Sequence, residues 1–253
     1  MPLASPIHLM RVSDRLRCLP MASDVLTYTL EDNIAVVRMD DGKANALSET
    51  MIDSLVDALA RAEKEASAMV LTGRPDRFCA GFDLRVMMQS PEAAMALLER
   101  GADMLMKLYG AKVPLVIACS GHALAGGALV LLTGDMRIGA EGAFRIGLNE
   151  VAIGMPVPIL AMEIARDRLT PQALTHATLL ARIYDPVEAV KVGYLDATAA
   201  PDAILAVAKE EAKRLAGLAR PAFEATKARL RGKTIAHIRA TLSEDMSLLL
   251  PKG

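Results

Sequence analysis

Three short stretches of the 253-residue chain carry residue types that could do chemistry: FCAGFDL (Phe78 to Leu84), HALAGGALV (His122 to Val130) and FRIGLNEVAIG (Phe144 to Gly154). The second lies in a longer run, GHALAGGALVLLTG (Gly121 to Gly134), which reads as a membrane span, a phosphate-binding loop or one wall of an active site. A helix is expected to begin at its glycine pair, Gly126 and Gly127. Such a start presents N–H groups without intrahelical partners, and the helix dipole favours negative charge there. The glycines equally permit tight helix–strand packing. In the third stretch stands one carboxylate, Glu150, which composition alone would put on the surface. Its neighbours Leu148, Val151 and Ile153 are compatible with an apolar setting, which would raise its pKa and make it a stronger base.

Other chemistries drop out. There is no G-x-S-x-G elbow, no H-E-x-x-H, no G-x-x-x-x-G-K-[ST] and no G-x-G-x-x-G after a strand. The phosphate-loop reading therefore fails. The four histidines are scattered, and His122 beside the glycines is expected to be structural. No metal site is expected. Cys18, Cys79 and Cys119 form no C-x-x-C pair, which points to a reducing, cytoplasmic setting. A membrane span needs about 20 mostly apolar residues. Val113 to Gly134 carries no charge, but Pro114, Ser120, His122 and the glycines break it into a buried strand, a turn and a buried helix. A net charge of −1 with 3% aromatics argues against nucleic-acid binding.

Taken together and in this order, the three stretches resemble the crotonase, or enoyl-CoA hydratase/isomerase, superfamily, from about Val25 into the helical C-terminal part. The resemblance implies an α/β fold: a crotonase-like layered core of repeated ββα units with a C-terminal helical subdomain. It implies that the backbone N–H groups of Phe82 and Gly126 form an oxyanion hole for an acyl-CoA thioester, and that Glu150 is the catalytic carboxylate. It further implies that Lys43, Ala44 and Ala80 contact coenzyme A, with Lys227 a candidate phosphate contact. Coenzyme A would enter as part of the substrate, with no permanently bound cofactor. Met87, Met88, Met95, Met104 and Met106 are candidates for an adaptable acyl pocket. A homotrimer, or a hexamer made of two trimers, is the implied assembly.

One departure from the hydratase pattern matters. Hydratases of this superfamily resemble one another in a second glutamate three residues after the oxyanion glycine, and here that position is Leu129. The combination AGGALV plus IGLNE looks closer to the Δ3,Δ2-enoyl-CoA isomerases. A single carboxylate can then take a proton from C2 of a 3-enoyl thioester and return it to C4, with Leu129 helping to exclude water. A hydratase, another acyl-CoA reaction, or a non-catalytic CoA- or RNA-binding member remain the alternatives. Asp83 is expected to tie its loop together, and Cys79 to pack.

The elements that must hold these residues follow from periodicity. VLTYTLE and NIAVVRMD read as strands joined by a hairpin at Asp32-Asn33. Ser48 is expected to cap a helix whose buried stripe is Met51, Ile52, Leu55, Val56 and Leu59. AMVLTG and VPLVIACSG read as buried strands, RPDRFCAGFDL as a loop, and Pro91 to about Tyr109 as a helix. From Pro158 onward helical patterns dominate. Strand–helix alternation followed by helices predicts a layered α/β core over residues 23–197 and a helical oligomerisation subdomain over 198–253. Residues 1–22 are expected to be a disordered extension or a mis-assigned start, translation then beginning at Met21. The basic stretch from Arg220 to Arg239 is expected to form a solvated helix face.

Overall fold

A computed structural model describes residues 21–23 and 25–249. The expectation for residues 1–20, Cys18 included, lies outside them. Met21 and Ala22, inside the range expected to be an extension, belong to strand β1 (Met21–Ser23). β1 pairs antiparallel with β2 (Leu26–Glu31), which turns into β3 (Ile34–Met39). Asp32 and Asn33 make that turn at φ +49° and +62°. Two consecutive left-handed residues match the right-handed strand twist, and Asp and Asn tolerate them best after glycine.

The chain then runs through α1 (Glu49–Glu65), β4 (Ala68–Thr72), β5 (Asp76–Cys79), α2 (Leu84–Met87) and α3 (Pro91–Tyr109). It continues with β6 (Leu115–Cys119), β7 (Gly121–Leu124), α4 (Gly126–Thr133), β8 (Met136–Ala140) and β9 (Ile146–Gly147). Helices α5 (Ile159–Arg168), α6 (Pro171–Thr178) and α7 (Pro186–Val192) lead to β10 (Ala197–Ala199), α8 (Ile204–Ala216) and α9 (Arg220–Leu249). The repeated ββα pattern is plain, and this is a mixed α/β fold closing on a long C-terminal helix.

The strands form two sheets, one in the order β1-β2-β3-β4-β6-β8-β10 and a smaller one in the order β5-β7-β9. From β3 onward the large sheet is parallel, as is the whole small sheet. Parallel strands need both faces covered. Ile34, Val36, Val70, Val116 and Ile138 face α8 through Ile204, Ala208 and Ala212. Their neighbours Ala35, Val37, Met69, Leu71, Leu115 and Ile117 enter the main core with α1, α3 and α4. Ser48 caps α1 as expected, accepting from Met51 N–H, and Met51, Ile52, Leu55 and Leu59 are buried.

Two expectations differ. RPDRFCAGFDL is not all loop: Asp76–Cys79 is a strand, because it pairs with β7 across the small sheet. The boundary set after residue 197 cuts through β10, and α8 covers one face of the large sheet. Sequence periodicity identified the late helices without revealing which sheet face they cover.

Candidate active site

The small sheet brings the three stretches together. Its parallel strands β5, β7 and β9 end at Cys79, Leu124 and Gly147, so the segments after them emerge side by side. Loops at the carboxyl ends of parallel strands are where open α/β sheets place their ligands. Here they enclose a cavity of about 200 Å³ whose walls include Ala80, Phe82, Gly126, Leu129 and Glu150.

Phe82 is held in a single parallel bridge to Leu47. Leu47 N–H donates to Gly81 O at 2.8 Å, and Asp83 N–H donates to Leu47 O at 3.2 Å. Amide directions alternate along an extended strand, so Phe82 N–H points away from Leu47. Gly81, at φ +96°, lies against the next wall: a Cβ there would stand 3.1 Å from Leu124 O and 3.2 Å from Gly126 N. Close approach and left-handed backbone both require glycine at this position.

Gly126 opens α4, which has no side-chain N-cap. The first N–H groups of that helix therefore have no intrahelical acceptor. The preceding Ala125 sits at φ +48°, ψ −124°, anchored by its N–H to Gly147 O at 3.0 Å. A non-glycine residue in this region stores about 1–3 kcal/mol of strain, which surrounding structure must hold. Leu129 lies one turn along α4 and is buried against the cavity.

Glu150 stands where the chain leaves β9 for a single 3-10 turn over Val151–Ile153. Its carbonyl accepts from Ile153 and Met155 N–H at 3.0 and 2.9 Å, which fixes the backbone. The side chain is not at the surface: the residue is 7% exposed, and Oε2 has no hydrogen-bond partner. Burial pushes its carboxyl above the ordinary range, countered only by its own backbone N–H. An unpaired buried carboxylate is costly, and a charge shifts its pKa rather than bear that cost fully.

Sequence reasoning missed several walls. Asn149, Met155, Leu160, Leu98 and Met246 also line the cavity. The last two come from α3 and α9, and no local pattern announces them. Among the candidate methionines, Met87 lines the cavity, Met88 is exposed, and Met104 and Met106 belong to the core. Met95 packs beside Leu98 and Met246.

Lys43 is exposed, and its neighbour Ala44 accepts from Ala80 N–H at 3.1 Å, joining that loop to the cavity rim. The strut is Asn45, fully buried at φ +53°, whose Nδ2 donates to Met39, Arg77 and Phe78 carbonyls. Asp83 ties its loop as expected, capping α2 and pairing with Arg85, which lowers its pKa. His122 Nδ1 accepts from Arg145 N–H, a structural contact. Burial raises the Cys79 thiol to about 12, so it packs rather than reacts.

Lys227 differs from its expected place. It is 5% exposed, its ammonium 2.7 Å from Asp135, and it is absent from the cavity walls, so it has no free ammonium for a phosphate. Arg231 is likewise buried; it pairs with Asp135 at 3.0 Å and donates to the carbonyls of Tyr109 and Thr133. Lys227 and Arg231 thus dock α9 onto the carboxyl end of α4, while Arg229, Lys233 and Arg239 are exposed as expected. Among the described residues, no group of three or more His, Cys, Asp or Glu is placed to hold a metal ion, and no helix is long and apolar enough to cross a membrane.

Comparison with known proteins places this fold. The enoyl-CoA hydratase/isomerase family profile matches residues 29–249. Human mitochondrial enoyl-CoA delta isomerase 1 is 30% identical over 218 residues, 84% of this chain and 72% of its own length. A Mycobacterium tuberculosis protein, named an enoyl-CoA isomerase in its apo structure and a probable enoyl-CoA hydratase in another, superposes with a TM-score of 0.85 at 39% identity, the apo structure covering 90% of this chain and all of its own. An enoyl-CoA hydratase from Mycobacterium ulcerans superposes at 0.82 with 40% identity, covering 88% of this chain and 96% of its own.

Proposed function

The chain belongs to the enoyl-CoA hydratase/isomerase family, and from that premise we propose that it moves the double bond of a 3-enoyl-CoA to the 2-position. The observation that carries this reading is the pairing of one buried carboxylate, Glu150, with an apolar wall at Leu129. The thioester oxygen accepts hydrogen bonds from Phe82 and Gly126 N–H. As Glu150 takes a proton from C2, charge moves onto that oxygen, and the two donors stabilise the dienolate. Each such donor lowers the barrier by about 3–4 kcal/mol. Glu150 then delivers the proton to C4 and returns to its ionised form.

Burial supports the base role of Glu150. Its raised pKa brings the carboxyl closer to the basicity that proton abstraction next to a thioester demands. A protein that merely held coenzyme A or RNA would gain nothing from a buried, unpaired carboxylate. Ala80 lines the cavity and its N–H is held by Ala44, which supports Lys43, Ala44 and Ala80 as contacts for the coenzyme A portion. Cys79 and Cys119 are free thiols, in keeping with a reducing, cytoplasmic setting. Exposed Leu84, Met88 and Ile153 beside the cavity leave apolar surface for a homotrimeric or hexameric assembly.

Hydration of 2-enoyl-CoA is the second reading, favoured by one observation: a second polar residue, Asn149, lines the cavity beside Glu150. Two assays on the purified protein and on Glu150→Gln separate the readings. Conjugation of a 3-enoyl-CoA that depends on Glu150, with little hydration of a 2-enoyl-CoA, is the expected result. Hydration faster than conjugation would overturn it.

A further inference from the structure

The walls of the cavity fall into two groups. Ala80, Phe82, Gly126 and Glu150 follow the strands of the small sheet, and the thioester and the proton transfer belong there. Leu98, Leu160 and Met246 are apolar and come from α3, α5 and α9. A thioester held by the first group sends its acyl chain against the second.

Met246 stands apart in how it is held. It packs with Leu98 and Leu249 in a small cluster of its own, separate from the main core. Arg231, the nearer of the two cations that dock α9, lies 15 residues earlier, about 22 Å along the helix. Those ion pairs are too distant to fix the last turns. A second tie does so. Helix α5 begins after Pro158, which has no side-chain group to cap it, and Ile159 N–H donates instead to Asp245 Oδ2 at 2.7 Å. A carboxylate also suits the positive end of the α5 dipole. The bond joins the residue before Met246 to the stretch between Pro158 and Leu160, both of them cavity walls.

From this we infer that Met246 sets the length of acyl chain the cavity takes, and that Asp245 is the positioning residue that holds it in place. The inference rests on the acyl-CoA reading above and narrows its substrate class to short thioesters. A methylene-sized group takes about 30 Å³, as a water molecule does in the liquid, so a cavity of about 200 Å³ holds roughly six carbons. A longer chain meets Met246, which is kept from swinging aside while Asp245 is bound to α5. In a packed apolar pocket even one methylene changes discrimination by roughly tenfold or more.

Calorimetric titration tests this without relying on turnover. Hexanoyl-CoA and dodecanoyl-CoA are titrated into wild type, Met246→Ala, Asp245→Ala and Asp245→Asn. Wild type is expected to hold the shorter thioester at least about tenfold more tightly, and Met246→Ala to lose that preference. Asp245→Ala should lose most of it as well. Asp245→Asn should keep it, because an amide oxygen accepts from the same N–H. A preference unchanged in Met246→Ala, or absent from wild type, would overturn the length limit. A preference unchanged in Asp245→Ala would overturn the positioning role. If the preference shifts as expected but no 3-enoyl-CoA is conjugated, the length limit stands and the isomerase reading fails. Binding of neither thioester by wild type would overturn both. Melting curves check that each variant is folded, and Met246→Val reads the same shift on a smaller scale should Met246→Ala fold poorly.

Discussion

The two ends of helix α4 treat charge in opposite ways. At its amino end the cavity holds one carboxylate, Glu150, with an unpartnered oxygen and a strained residue, Ala125, next to the first helical glycine. At its carboxyl end the charges are paired with one another and with carbonyls, although Arg168 Nε is buried without a partner. Asp135 pairs with Lys227 and Arg231, and guanidinium groups of Arg231 and Arg168 donate to the carbonyls of Thr133 and Gly134. Cations suit the negative end of the helix dipole, while the positive end is left open for an arriving anion. Eight residues separate a site where a carboxylate oxygen is left without a partner from one where ion pairs dock α9.

If the amino end is the reactive one, Glu150→Gln breaks the contrast most severely. Conjugation of a 3-enoyl-CoA should fall roughly 10²- to 10⁴-fold in kcat. The same variant should be more stable than wild type at neutral pH. The pKa of Glu150 is raised by folding, so its contribution is fully present below the free carboxyl value and is lost as pH rises through the folded value. Thermal melts at acidic and neutral pH read this directly.

At the other end, Asp135→Asn should cost about 3–5 kcal/mol, because it leaves two buried cations without their anion. Chemical denaturation measures it, and activity should follow the folded fraction. Lys227→Met probes the same cluster more gently, since Arg231 still meets Asp135. Burial lowers the Lys227 pKa to about 8. A depressed pKa gives stability that is present above the unfolded value and lost as pH falls through the folded one. Wild type should therefore gain on Lys227→Met as pH rises above about 8. The smallest effect is expected from Ala125→Gly. Relief of backbone strain, offset by glycine's greater unfolded freedom, should change stability by about 1 kcal/mol or less. Its Tm, set beside its kcat, shows whether strain at that residue serves catalysis.

Legibility in the sequence follows the range of the interactions. The Asp32-Asn33 hairpin, the Ser48 cap and the Pro91–Tyr109 helix are set by neighbours a few residues apart, and each stands where local pattern puts it. Glu150 was legible through its segment, and its burial through Leu148, whereas Val151 and Ile153 are exposed, Ile153 at the cavity wall. Met246 and Leu98 were not, since only packing of α9 on α3 brings them to the cavity. Lys227 misled for the same reason. A basic helix looks solvated until its partner, Asp135, arrives from 92 residues away. Asn149 lay in plain view beside Glu150, and only its place in the cavity wall marks it.

The most direct test of the account is to follow stability and activity together across pH in wild type, with Glu150→Gln as the reference. The account expects the stability difference and the rate of conjugation to change through one shared pKa, above that of a free glutamate, Gln gaining in stability as wild type gains in activity. A rate that rises through a pKa absent from the stability difference would contradict it, and would place the base on another residue.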